Sequence, residues 1–231
     1  PRRRGVVVPA GRPGAGHPPR GLGRRPDKYL IGRSNQVTLA GMARTKEFDP
    51  DAVLERALEL FWAKGYEATS IADLVEHLGI GRASLYATYG SKRELYRKAL
   101  DRYVRRAGPV EIVSQPGPVL PALRALIDYY LELPHRSPNR GCMVTNAAME
   151  CAAADPDVAR TVSRAWSAIE GALLAALIRG QAQGEISKDK DPRVLAQLLL
   201  VFVQGLIVVG QGDPDPERSR AAADQLLAML T

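Results

Sequence analysis

Cysteine and histidine are scarce in this 231-residue chain, and each scarcity removes a class of function. Two cysteines are too few for a disulfide scaffold, and no Cys/His cluster has metal-ligand spacing. The three histidines stand apart at positions 17, 77 and 135, so no metal site is assigned. Serine and histidine never fall at a spacing that suggests a catalytic triad. Gly79-x-Gly81 lacks a third glycine and follows a helical pattern rather than a strand, so it is not a dinucleotide loop and no cofactor is assigned. An enzyme is not expected. Strand-like alternation and internal repeats are also missing, which leaves helices to build an all-α fold. The longest apolar run, Val194–Gly210, covers 17 residues and includes Gln197, Gln204 and Gly205. It falls short of the roughly 20 apolar residues of a bilayer span. An amphipathic or buried helix is expected there, and its excess apolar character suits a dimer contact.

What the chain does hold is arginine, 25 of its 32 basic residues, unevenly distributed. Residues 1–41 carry nine basic groups and one acid. Residues 42–107 carry twelve and ten, and residues 108–231 carry eleven and fourteen. The overall charge of +7 therefore belongs mainly to the first segment. That segment is rich in Gly and Pro and has no helical or strand period, so it reads as unstructured. Two readings stand for it: a basic DNA-binding arm, or an upstream extension outside the fold, with Met42 as the natural start.

From Asp49 onward the pattern is helical. Asp49-Pro50 is a helix start, followed by Leu54, Ala57, Leu58 and Phe61, and Gly65 marks its end. Ser70 with Asp73, and Ser91 with Glu94, have capping-box spacing for two further helices. A short helix is expected from Arg82 to Thr88. The Gly- and Pro-rich stretch 107–118 reads as a break. Further helices are expected at about 119–133, 141–154, 157–182, 191–210 and 216–230.

Two short helices joined by Gly79-Ile80-Gly81 make a helix-turn-helix pattern, whose second helix suits the DNA major groove. From Phe61 to Leu95 the sequence resembles the TetR family of bacterial transcriptional regulators. The resemblance is carried by Gly65-Tyr66, Thr69-Ser70, Gly79-Ile80, Ser84-Leu85-Tyr86, Tyr89 and Ser91-Lys92. It implies a three-helix DNA-binding domain at 42–107 and a helical ligand-binding and dimerisation domain at 108–231. The chain departs from the family pattern at Gly81, where a capping Ser is frequent, at Tyr89, where Phe is usual, and at Ala87-Thr88.

On this reading the candidate DNA contacts are Arg44, Lys46, Thr69, Ser70, Arg82, Ala83, Ser84, Tyr86, Tyr89 and Lys92. Arg82 has the reach for guanine O6/N7. Ser84 matches a groove-facing position and Tyr86 a backbone-facing one. Thr69 and Ser70 cap their helix beside the DNA backbone. Tyr89 packs toward Phe61 and Trp62 and offers a hydroxyl to phosphate. Lys92 sits in a helix's first turn, where a cation is disfavoured by the dipole and is best understood as a phosphate partner. Arg44 and Lys46 form a short basic arm.

The effector region is read from polar and aromatic groups on otherwise apolar helices. The candidates are Tyr129, Tyr130, Cys142, Met143, Asn146, Met149, Glu150, Trp166, Glu170 and Gln204. Cys142 follows Arg140-Gly141 at a helix start, where the helix N-terminus and the neighbouring Arg both favour thiolate reactivity. Its other reading, shared with Cys151, is a small buried apolar side chain. The resemblance implies a cytoplasmic homodimer that binds a palindromic double-stranded operator as a repressor and releases it on binding a small molecule. It also implies that the last two helices pack against their two-fold mates. The alternatives are an electrophile- or oxidant-sensing regulator acting through Cys142, and a helical ligand-binding protein without specific DNA binding.

Overall fold

The computed structural model describes residues 48–106, 108–136, 140–212 and 215–231, so Arg44, Lys46 and the whole 1–41 segment lie outside the described residues. Among the described residues every regular element is a helix. Helix α1 (Pro50–Lys64) starts where Asp49 accepts from the Asp51 amide, with Pro50 in the first turn. It buries Val53, Ala57, Leu58 and Phe61, and Leu54 is half-buried. Gly65 ends it at φ +82°, a conformation that favours glycine.

Helix α2 (Ile71–Leu78) begins with the full Ser70/Asp73 capping box and ends at Gly79 in the left-handed region, φ +66°. The chain turns through Ile80 into α3 (Arg82–Tyr89), whose start carries no side-chain cap because Gly81 stands there. Ser91 and Glu94 form the second capping box, opening α4 (Lys92–Val104). Buried Leu74, Leu78, Ile80, Leu85, Leu95, Tyr96, Ala99 and Leu100 close these four helices around Phe61.

The expected break at 107–118 is corrected in part, because Pro109–Ser114 forms a short helix, α5. Proline at the first helical position gives up no intrahelical bond, so Pro109 starts a helix there rather than preventing one. Then follow α6 (Val119–Leu131), a single turn α7 (Leu133–Arg136), α8 (Met143–Glu150), the 28-residue α9 (Pro156–Gln183), α10 (Pro192–Gly212) and α11 (Pro216–Ala228). Helix α8 is shorter than the expected 141–154. Helix α6 has no capping side chain of its own. The Glu185 carboxylate accepts from the Val119 and Leu120 amides at 2.9 to 3.1 Å instead.

Two apolar cores share α9. The first continues from the α1–α4 group into Met143, Val144, Ala147 and Cys151, then Val158, Val162 and Ala165 on the N-terminal half of α9. The second joins Leu173, Ala176 and Leu177 of its C-terminal half to α5, α6, α10 and α11. The first core thus crosses residue 107. Helices α9 and α10 are each long and apolar enough to cross a bilayer by length and composition alone. Helix α10 buries Ala196, Leu199, Val203, Leu206 and Ile207 on one side. On the other it exposes Val194, Leu198, Val201, Val208 and Val209.

Candidate nucleic-acid interface and internal cavity

Helix α3 is held by one face and open on the other. Leu85 and Tyr89 are buried, while Arg82, Ala83, Tyr86, Ala87 and Thr88 are exposed and Ser84 is half-buried. The Arg82 guanidinium lies 5.8 Å from the centre of the Tyr86 ring, one helical turn on. This exposed face has the width and donor chemistry of a helix that enters the major groove. At the start of α4, the Lys92 ammonium lies 4.2 Å from the Tyr66 ring centre. The ring confines a long, flexible side chain beside the N-terminus of α4. Ser70 is exposed at the start of α2, with its side chain committed to the capping box.

Two expected contacts are corrected. Thr69 is 0% exposed, and its hydroxyl donates to the Gly65 carbonyl at 2.6 Å, so it braces the α1–α2 turn. Tyr89 is buried, and its hydroxyl donates to the Pro50 carbonyl at 2.6 Å. A hydroxyl spent on the first turn of α1 is not free for phosphate. Nor does its ring stack on Phe61 or Trp62. Those rings meet Tyr66, Tyr96 and Tyr103 instead.

A cavity of about 500 Å³ lies where the two cores meet, at the midpoint of α9. Trp62 and Tyr103 line it from α1 and α4, Tyr129 and Tyr130 from α6, Trp166 from α9 and Gln204 from α10. Cys142 completes its wall and touches both cores. Of the expected ligand contacts, the cavity gathers Tyr129, Tyr130, Cys142, Trp166 and Gln204. Five others are corrected. Met143 is buried in the first core. Asn146 donates to the Arg140 carbonyl at 2.8 Å. Met149 is 72% exposed. Glu150 accepts from the Tyr66 amide at 2.8 Å, outside the cavity. Glu170 reaches Gln197 of α10. The eight residues of α8 make just over two turns and point in every direction, so a polar residue on it has no fixed relation to a cavity at one end. Trp62 and Tyr103 were missed. Their only sequence signal is an aromatic residue beyond what the four-helix core needs.

Several bonds tie the α1–α4 group to the helices behind it. The Trp62 indole donates to the Gly141 carbonyl at 2.9 Å, next to Cys142. Asp155, 4% exposed, caps α9 and receives Arg97 of α4 through Nη2 at 2.5 Å and Nε at 3.0 Å. These guanidinium bonds hold its carboxyl below the usual range, against the opposing effect of burial. Arg97 also pairs with Asp157 at 2.5 Å. Burial pushes the Tyr103 and Tyr130 hydroxyls well above their ordinary pKa and raises that of Tyr129, so all three are protonated at neutral pH.

Comparison with known proteins agrees with this geometry. Residues 53–99 match the family of bacterial regulatory proteins of the tetR type, and residues 119–226 match the tetracyclin repressor-like C-terminal domain. The chain is 37% identical over 194 residues to YezE of Bacillus subtilis, an uncharacterized HTH-type transcriptional regulator, covering 82% of this chain and all of that one. It is 34% identical over 179 residues to ComR of Escherichia coli, an HTH-type transcriptional repressor, covering 76% and 85% of the two chains. Among solved structures, the TetR family regulator CifR, in a cysteine-substituted form with 26-base-pair operator DNA, superposes with a TM-score of 0.71. It shares 28% identity and covers 81% of this chain and all of its own. The helix-turn-helix, the helical body behind it and these relatives together establish that the chain belongs to the TetR family of DNA-binding transcriptional regulators.

Proposed function

We propose that the protein is a homodimeric cytoplasmic repressor that holds a palindromic operator and releases it when a small molecule fills the cavity at the α9 midpoint. The observation that carries this reading is the cavity's position. It is walled by Trp62 and Tyr103 from the DNA-reading helices and by Tyr129, Tyr130 and Gln204 from the helices behind them. A ligand there acts on the joint between the two cores. It shifts DNA affinity to the extent that it prefers one arrangement of that joint. Residues 42–107 serve as the reading domain and 108–231 as the effector and dimerisation domain, with α8 and the start of α9 built into the reading domain's core.

Arg82, Ala83, Ser84 and Tyr86 meet the groove, and Lys92 and Ser70 meet the DNA backbone. Arg44 and Lys46 act as a basic arm. The outward stripe of α10, with Val201 69% exposed at its centre, recurs at helical spacing and is covered by the same helix of a second copy. Helix α11 completes the two-fold interface. ComR, a repressor, and CifR, solved on its operator, support the repressor reading.

The test is fluorescence anisotropy of the full chain on DNA from beside its own gene, with a random duplex as control, across a salt series. Preference for the first duplex at moderate salt is expected. Equal affinity for both at every salt concentration refutes specific operator binding.

A second reading rests on Cys142, a free thiol in the cavity wall whose sulfur lies 3.9 Å from the Tyr103 hydroxyl. An α,β-unsaturated carbonyl held there is captured by addition. The sulfur bonds to the β-carbon, the C=C π bond breaks and the thiol proton ends on the α-carbon. A mass gain equal to the whole electrophile, lost in Cys142→Ser together with DNA release, supports this mode. Release that survives in the variant refutes it.

A further inference from the structure

The polar groups in the cavity wall that remain open to a ligand are two tyrosine hydroxyls and one amide nitrogen, each able to donate. Tyr130 is 2% exposed, and no described residue accepts from its hydroxyl. The Tyr129 hydroxyl is likewise without a partner among the described residues, and its ring stands edge-on to Tyr130 at 5.3 Å. Thr145 donates to Gln204 Oε1 at 2.8 Å, which leaves the Gln204 amide nitrogen as the group free to donate. Among the described residues no carboxylate joins these groups in the interior. Among the described residues the one acid in the wall is Glu111, exposed at the rim with Arg105.

This lining discriminates among ligand classes. A saturated chain fills the volume but leaves the hydroxyls and the amide unpaired, and unpaired buried donors are costly. A cation finds no buried counter-charge. A flat ring stacks among Trp62, Tyr103 and Trp166, and oxygen acceptors on its edge take the donated protons. We infer that the effector is a flat aryl carbonyl compound, neutral or anionic, whose carbonyl oxygen accepts from Tyr130 and its neighbours. The inference rests on the reading of this cavity as the effector site.

Both tryptophans of the chain, Trp62 and Trp166, line the cavity, so intrinsic emission reports its occupancy. The experiment titrates the full-length chain with anthraquinone-2-sulfonate, decane-1-sulfonate and the cationic dye proflavine, using emission and calorimetry. The quinone is expected to bind once per chain, at least tenfold more tightly than the other two, and to quench both tryptophans. Tyr130→Phe is expected to weaken it about tenfold while leaving the thermal midpoint unchanged, since that hydroxyl holds nothing in the protein. Equal or tighter binding of decane-1-sulfonate or proflavine overturns the assignment. So does absence of quinone binding, or unchanged affinity in Tyr130→Phe. The anthraquinone-2-sulfonate and decane-1-sulfonate titrations are repeated with labelled operator DNA present. If the quinone binds through Tyr130 while the DNA stays bound, the effector reading fails and the ligand class stands. If another probe class releases the DNA, the class fails and the effector reading stands.

Discussion

Asp155 ties the α1–α4 group to α9, and replacing it with asparagine isolates the charge from the cap. Asparagine caps a helix as well as aspartate does, so the bonds from the Asp157 and Val158 amides survive the change. What is lost is the charge facing Arg97, whose two bonds to Asp155 measure 2.5 and 3.0 Å. Hydrogen bonds to charged groups contribute about 1.5–3 kcal/mol. Arg97 is 29% exposed and keeps Asp157, so solvent screening reduces that figure to about 1–2 kcal/mol. For a chain of this size that corresponds to a fall in Tm of roughly 3–6 °C. Asp155→Ala removes the cap as well and should cost about 1 kcal/mol more.

The pH dependence follows from the lowered carboxyl. Its contribution is fully present above the unfolded value near 4 and is lost as pH falls through the lower folded value. The gap between wild type and Asp155→Asn should be flat from pH 8 to 5 and close only in stronger acid. Urea denaturation at fixed protein concentration, read by tryptophan emission, measures it. Identical midpoints at pH 7, or a gap of the same size at pH 3, would refute the reasoning.

Tyr89→Phe should cost about 0.5–1.5 kcal/mol of stability through the lost bond to Pro50 and leave DNA affinity unchanged, as denaturation and anisotropy on one sample would establish. Lys92→Ala should weaken binding to operator and random DNA alike and reduce the salt slope by about one, in the same anisotropy series. Gly180→Ala should cost about 1–3 kcal/mol by denaturant midpoint. A Cβ there would come within 2.6 Å of Ile186 Cγ1 and 3.3 Å of Val119.

The parts of this fold that were legible in the sequence are those fixed by neighbours along the chain. Ser70 with Asp73 and Ser91 with Glu94 act across three residues, and Gly65 and Gly79 sit at helix ends, so their roles can be read without knowing what packs on them. The exposed side of α3 was legible for the same reason, since one eight-residue helix separates Leu85 inside from Arg82 and Tyr86 outside. The cavity is different. Trp62 and Gln204 come from opposite ends of the chain, and only the packing of α1 and α10 about α9 makes them neighbours. Met149 and Tyr130 look alike as side chains in an apolar helix, yet one faces solvent and the other the cavity. Tyr89 was misjudged because its hydroxyl partner, Pro50, lies 39 residues away.

A 28-residue helix serving two cores has a consequence for anyone who would exchange modules between regulators. At 1.5 Å per residue α9 is about 42 Å long, and its first half belongs to the core of the α1–α4 group. A chimera spliced after α4 would separate Phe61, Leu95 and Leu100 from Met143, Ala147, Val158 and Val162, their own packing partners. The graft that keeps the reading domain whole carries α8 and the first ten residues of α9 with it and makes its junction inside the helix, beyond Ala165. The transferable unit in this chain is therefore discontinuous in sequence, and a linker-to-linker cut would deliver a head with one wall of its core missing.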